Sequence, residues 1–361
     1  MKIAIVVGTR PEIIKMAPVV RACIARSVPY LLLHTGQHYS FEMDDVFFEE
    51  LGLPRPHRNL EVGSGAQSYQ IAAVVSGMAP ILEQERPDVV LVEGDTNSVL
   101  AAALAANKTG IAVGHVEAGL RSYDRRMPEE INRILTDHLA DWLFAPTAGA
   151  REILLGEGVA PARVHVTGNT VVDELELQRP RAERPELFAR FGVERGKFAL
   201  ATVHRAENVD VDVRLRSILK GLDDAGKALG IPVLAALHPR TTARMAALGI
   251  AVDGAVRALP PLGYLDFLGL QAGAGIGLTD SGGLQEEACC LRVPCVTLRD
   301  NTERPESVTV GANVLAGADA AKIVACARTM HAKPRDWANP FGDGKSGARI
   351  VDLLTGQATG D

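Results

Sequence analysis

Short β-branched runs alternate with longer helical patterns along almost all of this 361-residue chain. In the first half, residues 3–7, 30–34, 89–92, 112–116, 142–145 and 163–166 read as strands. In the second half, 198–203, 232–236, 256–258, 274–278 and 295–298 do the same. Helical patterns fit between them, among them 12–25, 68–85, 96–108 and 129–140. Strand–helix–strand order leaves little choice, because a crossover helix returns the chain to run parallel to the strand before it. The expected fold class is therefore α/β, with doubly wound, Rossmann-like parallel sheets.

At this length the chain suits two such domains. Residues 175–194 break the rhythm: they are charged, carry Pro180 and Pro185, and precede a fresh strand. The expected division is residues 1–170 and 171–345, with the passage near 169–173. A turn-rich bridge, Asn339-Pro340-Phe341-Gly342-Asp343-Gly344-Lys345, leads to a last helix over 346–354, so 346–361 is expected to cross back to the first domain. Two doubly wound domains would leave a cleft outside the carboxyl ends of their strands, where ligands bind in this architecture.

The stretch Thr279-Asp280-Ser281-Gly282-Gly283-Leu284-Gln285-Glu286-Glu287 stands out within the second domain. It reads as a strand end, a small-residue turn and a helix start. Ser281, Gly282 and Gly283 carry no bulk to keep an anion from the N–H groups of the helix N-terminus. Glu287, one turn further on, is placed to accept hydrogen bonds from vicinal hydroxyls. Phosphate and sugar read by one turn suggest a nucleotide or nucleotide-sugar ligand, although glycines packing a strand against a helix would give the same pattern.

Composition narrows the partners. Aromatic residues are only 4% and the net charge is −6, so neither stacking platforms nor a polyanion-binding surface is expected, and nucleic acid is excluded as a partner. The opening Met1-Lys2-Ile3-Ala4-Ile5-Val6-Val7 is too short for a secretory hydrophobic region and reads as a strand. No run of about 18 apolar residues appears, so no membrane partner is expected. Five cysteines without a CxxC pattern read as buried thiols of a reducing compartment, the cytoplasm.

The chemistry-bearing residues gather at strand ends and helix starts. Gly8-Thr9-Arg10-Pro11-Glu12-Ile13-Ile14-Lys15 follows the first strand and sets Arg10 and Lys15 near one sheet edge, able to meet a diphosphate or a carboxylate. Asp95 and Glu117 each follow a strand, and Glu129 opens a helix. Each alone could be a cap or an ion pair. Together they could bring several carboxylates to a small polar substrate, as proton transfer requires. His204 and Arg205 follow the first strand of the second half as donors to a leaving phosphate. Arg304 is placed to pair with a ligand carboxylate, a phosphate or Glu303. No histidine, cysteine and acid spacing suits a dedicated metal site; HExxH, GxSxG and Tyr-x-x-x-Lys are absent, and the loop after the first strand is not GxGxxG.

Eight motifs, in order along the chain, resemble the non-hydrolysing UDP-N-acetylglucosamine 2-epimerases. They are Gly8 to Lys15, Gly94-Asp95-Thr96, His115-Val116-Glu117-Ala118-Gly119-Leu120-Arg121, Pro128-Glu129-Glu130-Ile131-Asn132-Arg133, Gly168-Asn169-Thr170, His204-Arg205, Asp280-Ser281-Gly282-Gly283 and Thr302-Glu303-Arg304-Pro305-Glu306. The resemblance implies a GT-B-like pair of Rossmann domains, a homodimer, and cofactor-free interconversion of UDP-GlcNAc and UDP-ManNAc with UDP as intermediate partner. It further implies that Asp95, Glu117, Glu129 and His204 are catalytic. Arg10, Lys15, Arg205, Ser281, Gly282, Gly283, Glu287 and Arg304 would bind UDP and the sugar. Members activated by their own substrate carry Gln-His-Arg after the second strand; here it is Gln37-His38-Tyr39, closer to archaeal-type members. A hydrolysing epimerase releasing ManNAc, an epimerase of a modified sugar, a GT-B glycosyltransferase and a silent nucleotide-sugar sensor are the competing readings.

Overall fold

The computed structural model describes residues 1–36 and 47–357. The Gln37-His38-Tyr39 reading lies outside the described residues. The chain forms two compact units: Met1–Glu176 with Phe341–Asp361, and Leu177–Pro340.

The first unit holds seven parallel strands: β1 (Ile3–Val7), β2 (Tyr30–His34), β3 (Arg58–Asn59), β4 (Val89–Glu93), β5 (Ala112–Val116), β6 (Trp142–Ala145) and β7 (Val164–Val166). Their order in the sheet is β3-β2-β1-β4-β5-β6-β7. The chain winds outward from β1 in one direction, then returns to β4 and winds in the other. The order thus reverses between β1 and β4, and loops after these two strands diverge to leave a crevice at their carboxyl ends. The inner strands β1, β2, β4, β5 and β6 are buried on both faces along most of their length. Helix Ser346–Thr355 packs on helix Arg10–Ala25 within this unit. Asp173 accepts hydrogen bonds from the Ser346 and Gly347 N–H groups at its start, and Arg26 pairs with Asp352 near its end at 2.5 Å.

The second unit repeats the plan with β8 (Ala199–Val203), β9 (Val233–Leu237), β10 (Val256–Ala258), β11 (Ile276–Thr279), β12 (Cys295–Thr297) and β13 (Asn313–Leu315). The order β10-β9-β8-β11-β12-β13 puts its reversal between β8 and β11, with Thr202 of β8 paired in register with Thr279 of β11. Residues 175–194, expected to break the strand–helix alternation, do so: helices Thr170–Ala182 and Pro185–Arg190 follow one another with no strand between them. No helix among the described residues is long and apolar enough to cross a membrane.

Candidate active site

In the first unit, the loops after β1, β4 and β5 carry the expected residues. Pro11 sits at the start of helix Arg10–Ala25, where its missing N–H costs nothing. Glu12 folds back and accepts from the Gly8 N–H at 2.6 Å, the Thr9 hydroxyl at 3.0 Å and the Thr96 hydroxyl at 2.8 Å. It thereby ties the loop after β1 to the loop after β4. The Arg10 guanidinium lies 4.7 Å from the centre of the Phe47 ring.

Lys15 is not a solvated helix residue. It is 8% exposed and pairs with both Glu93, at 3.0 Å, and Glu117. Glu117, itself 7% exposed, adopts a left-handed backbone at φ 69°. A non-glycine residue held there stores of order 1–3 kcal/mol of strain, a feature concentrated at functional sites.

Asp95 is held differently. Thr96, rather than Asp95, caps the helix Asn97–Lys108, its hydroxyl accepting from Val99 N–H. The Asp95 carboxylate, about a third exposed, accepts from Arg133, and its backbone carbonyl accepts from the Asn132 amide at 3.0 Å. Both partners come from helix Pro128–Leu139, whose first turn carries half-buried Glu129. Its neighbour Glu130 faces inward and accepts from Ser122 N–H and hydroxyl, Tyr123 N–H and Arg133, closing the loop that follows β5.

In the second unit, the β8–β11 register sets His204 beside Asp280. Asp280 is fully buried and accepts from the backbone N–H of His204 and of Arg205, each within 3.1 Å, and from the Asn208 amide at 3.1 Å. Its Oδ1 lies 2.9 Å from His204 Nδ1. Burial pushes the Asp280 carboxyl up, but the His204 hydrogen bond and charge, with the Arg205 N–H and Asn208 amide, outweigh it and hold it below the usual range. An ionised Asp280 fixes the ring and leaves Nε2 for a ligand.

Ser281 caps helix Gly282–Cys290, its hydroxyl accepting from Leu284 N–H at 3.4 Å. A Cβ on Gly282 would collide with Glu303 Oε1 and come within 2.8 Å of Arg304 Nη1, whereas the same position on Gly283 faces open space. The helix start is therefore sealed on one side by the Glu303–Arg304 group and open on the other, as anion approach to the N–H groups requires. Arg304 is buried and pairs with Glu286 at 2.6 Å and Glu303 at 2.8 Å. Arg205 lies 3.6 Å from Glu303, which fully buried Arg299 also engages at 2.9 Å. Glu287 sits half-buried one turn into the helix.

The family model described as UDP-N-acetylglucosamine 2-epimerase matches residues 22–355. This chain belongs to that family. It is 48% identical to the Methanocaldococcus jannaschii UDP-GlcNAc 2-epimerase, whose crystal structure in complex with UDP-GlcNAc and UDP superimposes with a TM-score of 0.92 over 98% of this chain and 99% of that one. A Pseudomonas aeruginosa protein named UDP-2,3-diacetamido-2,3-dideoxy-D-glucuronate 2-epimerase is 42% identical over 98% of this chain and 99% of its own length. A glycosyltransferase from Rickettsia africae, 12% identical with a TM-score of 0.56 over 99% and 98% of the two chains, shares the fold alone. The fold is accordingly α/β and GT-B-like.

The sequence assigns no role to Glu93, Asp280 or Arg133, and Glu303 reads there only as a possible partner of Arg304. Glu93 had one signal, an acid ending the apolar run Val89-Val90-Leu91-Val92. Glu12 was legible only as a helix-start acid. Burial raises its carboxyl to about 7, against smaller opposing effects of the hydrogen bonds from Thr96, Gly8 and Thr9. A carboxyl raised in the folded state stabilises fully below its unfolded value of 4.5 and loses that contribution as pH climbs to about 7. Glu12→Gln should therefore remove a downward slope of about 1.4 kcal/mol per pH unit across this window. Denaturant midpoints of both proteins at several pH values would check it; parallel curves would refute it.

Proposed function

We propose that this chain interconverts UDP-GlcNAc and UDP-ManNAc by expelling UDP and adding it back, without releasing free sugar. The observation that carries the reading is the pair of contrasting carboxylates at neighbouring strand ends: Asp95, partly exposed on Arg133, and Glu117, buried on Lys15. Two acids in unlike surroundings suit two proton transfers of opposite sense.

The C2 hydrogen of the hexose has no carbonyl beside it, so base abstraction alone yields no stabilised anion. Breaking the C1–O bond first places positive character on C1 and acidifies that hydrogen. The C–O electron pair leaves with UDP, a carboxylate takes the C2 proton, and the C2–H pair becomes the C1–C2 double bond of 2-acetamidoglucal. Protonation of C2 from the opposite face and return of UDP to C1 complete the inversion, with no net oxidant or reductant. In this scheme Asp95, Glu117 and Glu129 carry protons. His204, oriented by Asp280, and Arg10 stabilise the departing diphosphate, with the N–H groups of the 281–283 turn. Arg205 and Arg304 add positive charge beside that turn, and Glu287 accepts from the ribose.

Support for UDP-GlcNAc comes from the 48% identical relative solved with that ligand. The Pseudomonas aeruginosa relative is named for a diacetamido uronate, a sugar that differs from GlcNAc at C3 and C6. Incubation with UDP-GlcNAc in heavy water, followed by NMR, tests the proposal. UDP-ManNAc should form, with deuterium at C2 of both nucleotide sugars. Free ManNAc would establish hydrolysis instead, and unlabelled product would exclude elimination. No turnover of UDP-GlcNAc, with turnover of the diacetamido uronate, would move the activity to that sugar.

A further inference from the structure

Glu93 ends β4 and is 2% exposed, an acid closing an otherwise apolar strand. Parallel pairing sets it opposite Val116 of β5, the residue before Glu117. From the strand on the other side, β1, the chain leads into the helix that carries Lys15, whose ammonium reaches both acids. The two carboxyl groups thus share one ammonium, Glu93 through Oε1 and Glu117 through Oε2. Glu12 adds a further negative charge near Glu93. Two buried carboxyl groups therefore face one buried ammonium, and charge balance favours protonation of the less solvated.

Depth decides which of the pair keeps the proton. Glu93 belongs to the strand, whereas Glu117 lies in the loop beyond it, at the sheet's carboxyl edge. Burial pushes the Glu93 carboxyl well above its ordinary range; Lys15 opposes this, and the Glu117 hydrogen bond and charge and the Glu12 charge add to it.

We propose that Glu93 is a positioning residue for Glu117: it holds the proton of the pair, donates that O–H to Glu117, and keeps Glu117 an anion anchored on Lys15. The kinetic consequence rests on the epimerisation proposed above; the location of the proton is a property of the free protein. An anion fixed between an ammonium and a neutral donor has few orientations, which is what a group meeting one C–H bond requires.

Two measurements test this. In protein carrying 13C-carboxyl glutamate, titration through neutral pH should show a second glutamate, besides Glu12, still protonated in the neutral range, and Glu93→Gln should abolish that signal. In turnover of UDP-GlcNAc, Glu93→Leu should lower kcat about tenfold or more with little change in KM, and should displace the pH–rate profile. Glu93→Gln should recover most of that loss, because its amide N–H can replace the O–H. A titration in which only Glu12 stays protonated, or a Glu93→Gln variant as impaired as Glu93→Leu, would overturn the proposal. If Glu93→Leu does not fold, the titration and the Gln variant decide. If the wild-type protein leaves UDP-GlcNAc unchanged, the epimerase reading fails, and the titration alone still places the proton.

Discussion

Glu117→Gln should lower kcat for UDP-ManNAc formation by about 10²–10⁴-fold, the usual worth of a positioned proton carrier, while UDP binds as before. The amide matches the carboxylate in size, so the left-handed backbone at Glu117 and the contact with Lys15 survive. What goes is the basicity. Glu93, 3.0 Å from Lys15, can release its proton once residue 117 is neutral, so the substitution leaves no buried ammonium without an anion and should not unfold the first unit. The nucleotide, in the proposed scheme, is held mainly by the second unit, whose Ser281–Asp280–His204 group the substitution does not touch. Initial rates and UDP calorimetry on one preparation separate the two effects. Near-wild-type turnover would remove Glu117 from the chemistry; a matching loss of UDP affinity would make it a binding residue instead.

The strands were legible mainly as short, largely apolar runs between turn signals. Residues 3–7, 30–34, 112–116, 142–145 and 256–258 form the strands expected of them. Arg58–Asn59 and Asn313–Leu315 were not seen, since strands of two and three residues with polar members carry no periodicity. Both are edge strands, added by pairing with a neighbour already in place. The helix Thr170–Ala182 was missed for a different reason: its charges and Pro180 read as a break, yet the backbone continues through Pro180 as it does through Pro18 in Arg10–Ala25.

Candidate site residues were legible as positions more readily than as environments. Asp95, Glu117 and His204 follow strands, and the strand order brings the first two to neighbouring strand ends. Whether an acid there is solvated, capped or paired is set by distant partners. Lys15 meets Glu117 across 102 positions of sequence, and His204 meets Asp280 across 76. No local pattern encodes such pairings. The buried cluster of Arg299, Glu303, Arg304 and Glu286 is the extreme case, because charged residues ordinarily signal surface.

Asp280→Asn should reduce kcat by about 10²–10⁴-fold, since it unsettles the group proposed to assist the leaving diphosphate. Asp280 is an acceptor on every side, receiving two backbone N–H groups, the Asn208 amide and His204 Nδ1. An asparagine there must turn its own NH₂ toward one of these donors, leaving a buried group unsatisfied at a cost of about 1–3 kcal/mol. It also lets the imidazole rotate or change tautomer. The acid side of the stability curve gives a second reading. The folded-state carboxyl is depressed, so its contribution is complete above the ordinary aspartate value of 3.8 and is lost as pH falls through the folded value. Wild type and variant should therefore differ most at neutral pH and converge on strong acidification. A constant stability gap with kcat unchanged would mean that Asp280 only shapes the loop. A gap that closes in acid, with kcat reduced and UDP affinity kept within a few-fold, would tie the ionised carboxylate to the orientation of His204.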